Sequence, residues 1–314
     1  MNGSEREHGS RVPAEVFVVG SINQDFVLRV ERRPSPGETV TGAELSTLPG
    51  GKGANQAVAA ARLGVRVAML GRVGDDAFGE EMVRNLARKG VDARPVIALP
   101  EVSTGAAFIT VTPDGENAIT VSPGANHRLT PRDVDEAAEE IGAARVLVAQ
   151  MELPPQSVLR AAEVAAERGT RFVLNLAPLR PVPEGLLDTP DPLVVNEHET
   201  AFLSGEPVES VEDALRAAPK LLKLGPASVA ITLGAAGAVY AESETRAHHL
   251  PSPQVEVVDT TGAGDAFVGA LAVRLARGDS LGEAVAYALR AGAAAVTYPG
   301  AQSSLPTQET LKKL

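Results

Sequence analysis

From Pro131 onward the chain alternates two kinds of segment. Stretches with apolar residues at helical spacing cover about Arg132–Ile141, Pro155–Arg168, Glu197–Leu203 and Val211–Leu224. Between them stand short, almost wholly apolar runs at Arg145–Ala149, Arg171–Leu176, Leu193–Asn196 and Ser228–Thr232. A run without polar alternation has no solvent-facing side, which is the condition of a strand in a parallel sheet covered by helices on both faces. Alternation of this kind predicts an α/β fold with a mostly parallel central sheet. The N-terminal half opens in the same way. Glu15–Ser21 is an apolar run closed by Gly20, and Gly50-Gly51-Lys52-Gly53 starts a helix that runs to about Leu63 and stops at Gly64. Strand Arg66–Arg72 and helix Ala77–Lys89 follow, and two alanine-rich helices, about Gly264–Arg277 and Leu281–Val296, finish the chain.

Two segments break the alternation. Ile22–Pro49 carries Pro34, Pro36, Gly37 and Gly42, which forbids a long helix and leaves short strands and turns. Thr104–Thr112 and Asn117–Val121 flank Pro113-Asp114-Gly115, a hairpin signal. These pieces, about 22–49 and 102–121, are expected to pair as a small β lid over the strand ends, where open α/β sheets bind ligands. The chain of 314 residues is thus read as one domain over 15–314, preceded by a polar tail, 1–14, expected to be disordered. The tail lacks the apolar core of a signal peptide.

Composition removes several classes of function. With no cysteine, the chain has no disulfide, thiolate zinc site or cysteine nucleophile, and a reducing, cytoplasmic setting is expected. A net charge of −11 without a Lys/Arg run argues against nucleic acid as a ligand. No apolar stretch is long and uninterrupted enough to span a bilayer; Ala284–Val296 comes nearest and is too short, so a soluble protein is expected.

The most specific local signal is Asp259-Thr260-Thr261-Gly262-Ala263-Gly264-Asp265-Ala266-Phe267, read as a strand, Val255–Val258, running into a glycine-rich turn and a helix. Backbone N–H groups of Gly262, Ala263 and Gly264 would converge at the helix N-terminus as an anion hole. Asp265 in the first turn could then take a proton from an attacking hydroxyl. The plainer account of the same residues is a tight turn and a helix cap. Gly50-Gly51-Lys52-Gly53-Ala54-Asn55-Gln56 lets backbone approach a ligand while Lys52 and Asn55 offer polar groups; it is neither a Walker A loop nor a dinucleotide fingerprint. In Gly20-Ser21-Ile22-Asn23-Gln24-Asp25, Asn23 and Asp25 alternate onto one side, where an amide and a carboxylate could grip neighbouring hydroxyls. Asn196-Glu197-His198-Glu199 reads as a helix cap with an acidic first turn. Ile231-Thr232-Leu233-Gly234-Ala235-Ala236-Gly237 ends a strand in a glycine turn that could lie under a phosphate. Each turn alone is weak, but all five fall at strand ends and so on one rim of one sheet.

From Val16 to Pro306 the chain resembles the ribokinase-like carbohydrate kinases of the phosphofructokinase B family. The Gly-Gly start of the first large helix and DTTGAGDAFVGAL carry the resemblance, while GSINQD, PSPGETVTG and GGKGANQAVAAARLG are similar to the ribose-phosphorylating members. The resemblance implies a ribokinase-like three-layer sandwich with a lid, and transfer of the γ-phosphate of ATP to the 5-hydroxyl of D-ribose. Asp265 matches the general base, and Gly262, Ala263 and Gly264 the anion hole. Ribose would be held by Asn23, Asp25, Gly51, Lys52, Asn55 and Glu152. Asn196 and Glu199 match residues near the triphosphate and Mg²⁺, and Thr232, Gly234 and Gly237 the loop lining the nucleotide, which Gly264 also touches. A K⁺ site is implied at Asp259, Thr261, Ala295, Tyr298, Gly300 and Ser304, mostly through backbone carbonyls. At Leu289, where many relatives have an asparagine beside the adenine, the chain departs from the pattern.

The exposed edge expected of the lid points to a homodimer formed by lid pairing. Three other readings fit parts of the sequence: a kinase of the same family for deoxyribose, a nucleoside or a ketose; a sugar or nucleotide sensor without catalysis; and a Rossmann oxidoreductase, against which the missing dinucleotide fingerprint speaks.

Overall fold

The computed structural model describes residues 12–113 and 117–313. Its central sheet is built around β1 (Val16–Val19), which pairs in parallel with β4 (Val67–Leu70) on one side and β10 (Val146–Gln150) on the other. Parallel pairing continues outward through β11 (Arg171–Asn175), β12 (Leu193–Val195) and β13 (Val229–Thr232), and through β6 (Val91–Asp92) at the opposite edge. Only β14 (Ala238–Ser243) and β15 (Arg246–Leu250) run antiparallel, giving the order β15-β14-β13-β12-β11-β10-β1-β4-β6.

Side chains of β1 show why the apolar runs lack alternation. Val16 and Val18 enter one core, Phe17 and Val19 the other, and all four are fully buried. Helices α1 (Lys52–Arg62), α2 (Ala77–Arg88), α8 (Ala263–Ala276), α9 (Leu281–Ala295) and α10 (Gln308–Lys312) cover the first core. The second is covered by α3 (Pro131–Glu136), α4 (Ala138–Ala143), α5 (Pro155–Arg168), α6 (Glu197–Ser204) and α7 (Val211–Leu222). This is the expected three-layer sandwich. No described helix is long and apolar enough to cross a membrane.

One close approach decides where the site forms. A Cβ on Gly269 would lie 2.5 Å from the Cβ of Ala59 and 2.9 Å from the Gln56 carbonyl oxygen, so glycine lets α8 rest directly on α1. Gly269 stands one helical turn after Asp265, on the same face. Close packing of these helices therefore carries Asp265 to the first turns of α1.

The lid is a separate four-stranded sheet. In it β3 (Glu44–Gly50), β2 (Asn23–Arg29), β8 (Gly105–Val111) and β9 (Asn117–Ser122) lie in the order β3-β2-β8-β9, with β2 and β8 parallel. Phe26 stacks on Phe108 at 5.1 Å and meets Phe78 of α2 edge-on at 5.5 Å, which fastens the lid to the large layer. A further two-stranded piece, β5 (Arg72–Gly74) with β7 (Ile97–Leu99), has no counterpart in the sequence reading, because neither strand is long enough to show a pattern.

Several boundaries need correction. The single helix expected over Arg132–Ile141 is two, broken at Ala137. Val255–Val258 forms no strand; it is an extended connection in which Val257 and Val258 are exposed. The expected tail reaches too far, since the Pro13 carbonyl accepts from Arg66 Nε at 2.9 Å and Ala14 packs on the second core. The rest of that tail, residues 1–11, and the hairpin apex at residues 114–116 lie outside the described residues.

Candidate active site

Asp265 is buried in the first turn of α8, which begins at Gly262 with φ 79°, a left-handed conformation that favours glycine. Its carboxylate is held from two sides by α1: Asn55 Nδ2 donates to Oδ2 at 2.9 Å and Gln56 Nε2 to Oδ1 at 3.0 Å. Burial pushes the Asp265 carboxyl above the usual range; Lys52 and the two amides oppose this, and the charge of Glu152 adds to it. A buried, oriented carboxyl of raised basicity is suited to accept a proton.

On one side of Asp265 the lid begins. Asn23, buried at the start of β2, accepts from Asn126 Nδ2 at 2.8 Å, so its own amide N–H groups remain for another partner. Asp25 lies two residues on along the same strand, and its Oδ1 is buried without a hydrogen-bond partner among the described residues. Burial, with the charges of Glu152 and Asp265, pushes its carboxyl up to about 7. Gly51, with φ 88°, precedes α1; a Cβ there would lie 2.8 Å from the Asn23 nitrogen and the Ser21 carbonyl oxygen. Glu152, in the loop after β10, accepts from the Lys52 N–H at 3.0 Å and from the Ser21 hydroxyl. It thereby caps α1 from another element, since Gly51 has no side chain to do so. Burial lowers the Lys52 ammonium, but the carboxylates of Asp265, Glu152 and Glu199 outweigh it and leave its pKa raised.

On the other side of Asp265 lies a cavity of about 260 Å³, lined among others by Lys52, Asn175, Asn196, Glu199, Thr232 and Gly264. Asn196 and Glu199 form a reciprocal capping box: the Glu199 N–H donates to Asn196 Oδ1 at 2.9 Å and the Asn196 N–H to Glu199 Oε2 at 2.8 Å. The capping expected there is real, yet the same pair faces the cavity. Burial raises the Glu199 carboxyl, against the Asn196 N–H and the charges of Lys52 and His198. A Cβ on Gly264 would meet no protein atom within 4 Å. Packing therefore does not require glycine there, and the open space belongs to the cavity. The Ala263 N–H closes the turn on the Thr260 carbonyl at 3.3 Å. Gly234 and Gly237 are not part of the cavity wall; Gly237, with φ 102°, packs against Leu250 and Pro251.

The segments named for a cation do meet. Asp259 accepts from the Thr261 N–H at 2.9 Å and from the Gly300 N–H at 2.8 Å, which ties the glycine turn to the loop after α9. Burial acts to raise the Asp259 carboxyl, but these hydrogen bonds and Arg29 outweigh it and hold it low. Ala295 ends α9, Tyr298 is exposed, and the buried Ser304 hydroxyl donates to the Ala301 carbonyl at 2.9 Å.

Residues 13–308 match the family described as pfkB family carbohydrate kinase. The chain belongs to that family. Among pfkB relatives, ribokinase of Haemophilus influenzae is 39% identical over 95% of this chain and 97% of its own length. A deoxyribokinase of Salmonella typhi is 36% identical over 94% of this chain and 96% of its own. The structure of Arabidopsis thaliana ribokinase complexed with ribose and ATP is similar with a TM-score of 0.90, 33% identity, and coverage of 96% of this chain and 98% of that one.

In this pfkB kinase, sequence reading missed the amides behind the site. Gln56 Nε2 also donates to Asn175 Oδ1 at 3.1 Å, and Gln56 Oε1 accepts from Gln150 Nε2 at 2.7 Å. The one available signal was a polar residue closing each of two apolar runs, Gln150 after residues 146–149 in β10 and Asn175 after residues 172–174 in β11.

Proposed function

We propose that this protein is an ATP-dependent ribokinase, transferring the γ-phosphate of ATP to the 5-hydroxyl of D-ribose to give ribose 5-phosphate and ADP. The observation that carries the reading is the position of Asp265 at the start of α8, buried between a polar cavity and the lid carboxylate of Asp25, whose Oδ1 has no partner among the described residues. Similarity to ribokinases over almost the whole chain supports it.

Ribose binds first, under the lid, with Asn23 donating and Asp25 accepting; Gly51, Lys52, Asn55 and Glu152 border the same space. ATP enters the cavity bounded by Asn196, Glu199, Thr232 and Gly264, its outer part towards Gly234 and Gly237. Asp265 takes the 5-hydroxyl proton while the amides of Gly262 and Gly264 and the Lys52 ammonium receive the charge of the transferring phosphoryl group, joined by Ala263 when its N–H leaves the Thr260 carbonyl. Closure of the lid excludes water that would otherwise hydrolyse ATP. The acidic and amide donors of Glu199 and Asn196 suit Mg²⁺ held with the triphosphate, where it would neutralise phosphate charge. K⁺ is assigned to the contact between the glycine turn and the loop after α9, where backbone carbonyls of Thr261, Ala295, Tyr298 and Gly300 would hold it with Asp259 and Ser304.

A homodimer through the lid fits the edge strand β9, in which Asn117–Ser122 are all exposed, Ile119 and Val121 included. The deoxyribokinase among the relatives makes deoxyribose the second candidate acceptor. Coupled detection of ADP with a panel of ribose, deoxyribose, nucleosides and ketoses, in K⁺ and Mg²⁺, tests the reading. Release stimulated most by ribose at low concentration supports it, and no stimulation by any sugar sinks it.

A further inference from the structure

Asn55 can hold Asp265 only with its N–H side, and since an asparagine amide is nearly symmetric in shape, that choice rests on the hydrogen bonds at both of its ends. At one end stands the Asp265 carboxylate, and at the other a residue from elsewhere in the chain. Gln302, buried in the loop after α9, donates from Nε2 to Asn55 Oδ1 at 3.0 Å. Asn85, buried on α2, donates from Nδ2 to Gln302 Oε1 at 2.8 Å. The three amides form one directed line, Asn85 to Gln302 to Asn55, ending with the bond from Asn55 to Asp265 Oδ2 at 2.9 Å. Gln302 and Asn55 each receive on the oxygen and give from the nitrogen, and Asn85 starts the line by giving from its nitrogen, so reversing any one reverses all that follow.

We propose that Gln302 and Asn85 are positioning residues for the phosphotransfer, setting the direction of the Asn55 amide and through it the orientation and proton affinity of Asp265. Neither touches Asp265. Gln302 is anchored through its backbone as well, its carbonyl accepting from Arg62 Nη1 at 3.2 Å. The line joins three elements distant in sequence, α2, α1 and the loop after α9, to the start of α8. This assignment deepens the kinase reading and rests on Asp265 as the base.

The sharpest test is Asn85→Asp, which keeps shape but turns the donor at the head of the line into an acceptor. Gln302 must then give its N–H groups to residue 85 and its oxygen to Asn55, and Asn55 must turn its own oxygen on the Asp265 carboxylate. The other charged groups around Asp265 remain in place: Lys52 of α1, Asp25 of β2 and Glu152 after β10, with Glu199 of α6 beyond Lys52. Loss of an N–H donor disfavours the ionised carboxyl, so the acid limb of kcat should move to higher pH by roughly one unit, and kcat below that limb should fall roughly tenfold. Gln302→Met, which adds no charge, should move the limb in the same direction and separates reorientation from added repulsion. Both variants are compared with the parent by ribose-dependent ADP release and by circular dichroism. Variants that fold and keep the parent's acid limb overturn the assignment, as does a lower kcat with the limb unmoved, which loosened packing would give. Should Asn85→Asp not fold, Gln302→Met is read by the same two criteria. Absence of ribose-stimulated ADP release in the parent protein would instead strike the kinase reading itself.

Discussion

Gly50 closes β3 against the carboxylate of Asp25, so tightly that a Cβ on Gly50 would overlap both carboxylate oxygens. Asp25 is confined by Gly50 of the neighbouring strand, its Oδ1 is buried without a partner among the described residues, and its charge is coupled to those of Glu152 and Asp265.

Gly50→Ala should therefore displace the Asp25 carboxylate and leave the helix behind it intact. We expect the KM for ribose to rise by tenfold or more, in line with the roughly 1–3 kcal/mol that overpacking costs. The KM for ATP should change little, because the cavity on the far side of Asp265 does not include Gly50. Steady-state kinetics in both substrates check this, and an unchanged ribose KM would remove Asp25 from the sugar site.

The Asp25 carboxyl, raised to about 7, gives sugar binding a pH dependence. In the empty protein the group is largely protonated below that value and loses the charge that strengthens its hydrogen bonds from hydroxyl groups. Ribose affinity should then strengthen as pH rises from about 6 to about 8 and level off above. For stability the sign is opposite. A carboxyl whose folded pKa lies above its unfolded value favours folding at low pH, and that contribution is lost as pH rises through about 7. Asp25→Asn, always neutral, should thus be more stable than the parent above pH 7 while binding ribose weakly at every pH. Calorimetric titration and thermal melts across this range test both signs.

Asp265→Asn keeps the shape of the cradle but cannot take a proton. Turnover should fall by roughly 10²–10⁴ while ribose and ATP still bind, measured by ADP release and by direct titration of each ligand. A near-normal kcat would refute the base.

The large sheet was legible because burial on both faces leaves its mark in the central strands: β1 and β4 are uninterrupted apolar runs, and β10 is one up to Gln150. The rim of functional turns was legible for the same reason, since glycines and polar residues end those runs abruptly. Val255–Val258 misled because four residues of strand composition can also cross a surface in extended form, as exposed Val257 and Val258 do. Asn85, Gln302, Gln150 and Gln56 were illegible as a network. Each is an ordinary amide in sequence, and only the close packing of α8 on α1 at Gly269 shows which carboxylate they serve. Glu152 carries a role the sequence reading did not give it, since capping α1 from another strand's end requires the folded chain.

The clasp made by Asp259 between the Thr261 and Gly300 N–H groups locates the last expectation. It links the turn that carries Gly262 to the loop that carries Gln302, so whatever orders one segment orders the other. A cation bound to carbonyl oxygens of this contact would act on the anion hole through Gly262 and would leave the sugar pocket beneath the lid unchanged. Replacing K⁺ with Na⁺ should then lower kcat about fivefold or more, within the usual range of coupling between sites, with little effect on the ribose KM. Asp259→Ala, which opens the clasp, should bring the rates in the two salts together at the lower value. Equal turnover of the parent protein in K⁺ and Na⁺ would mean that the clasp alone orders the turn, and that Asp259 serves a structural joint with no cation in it.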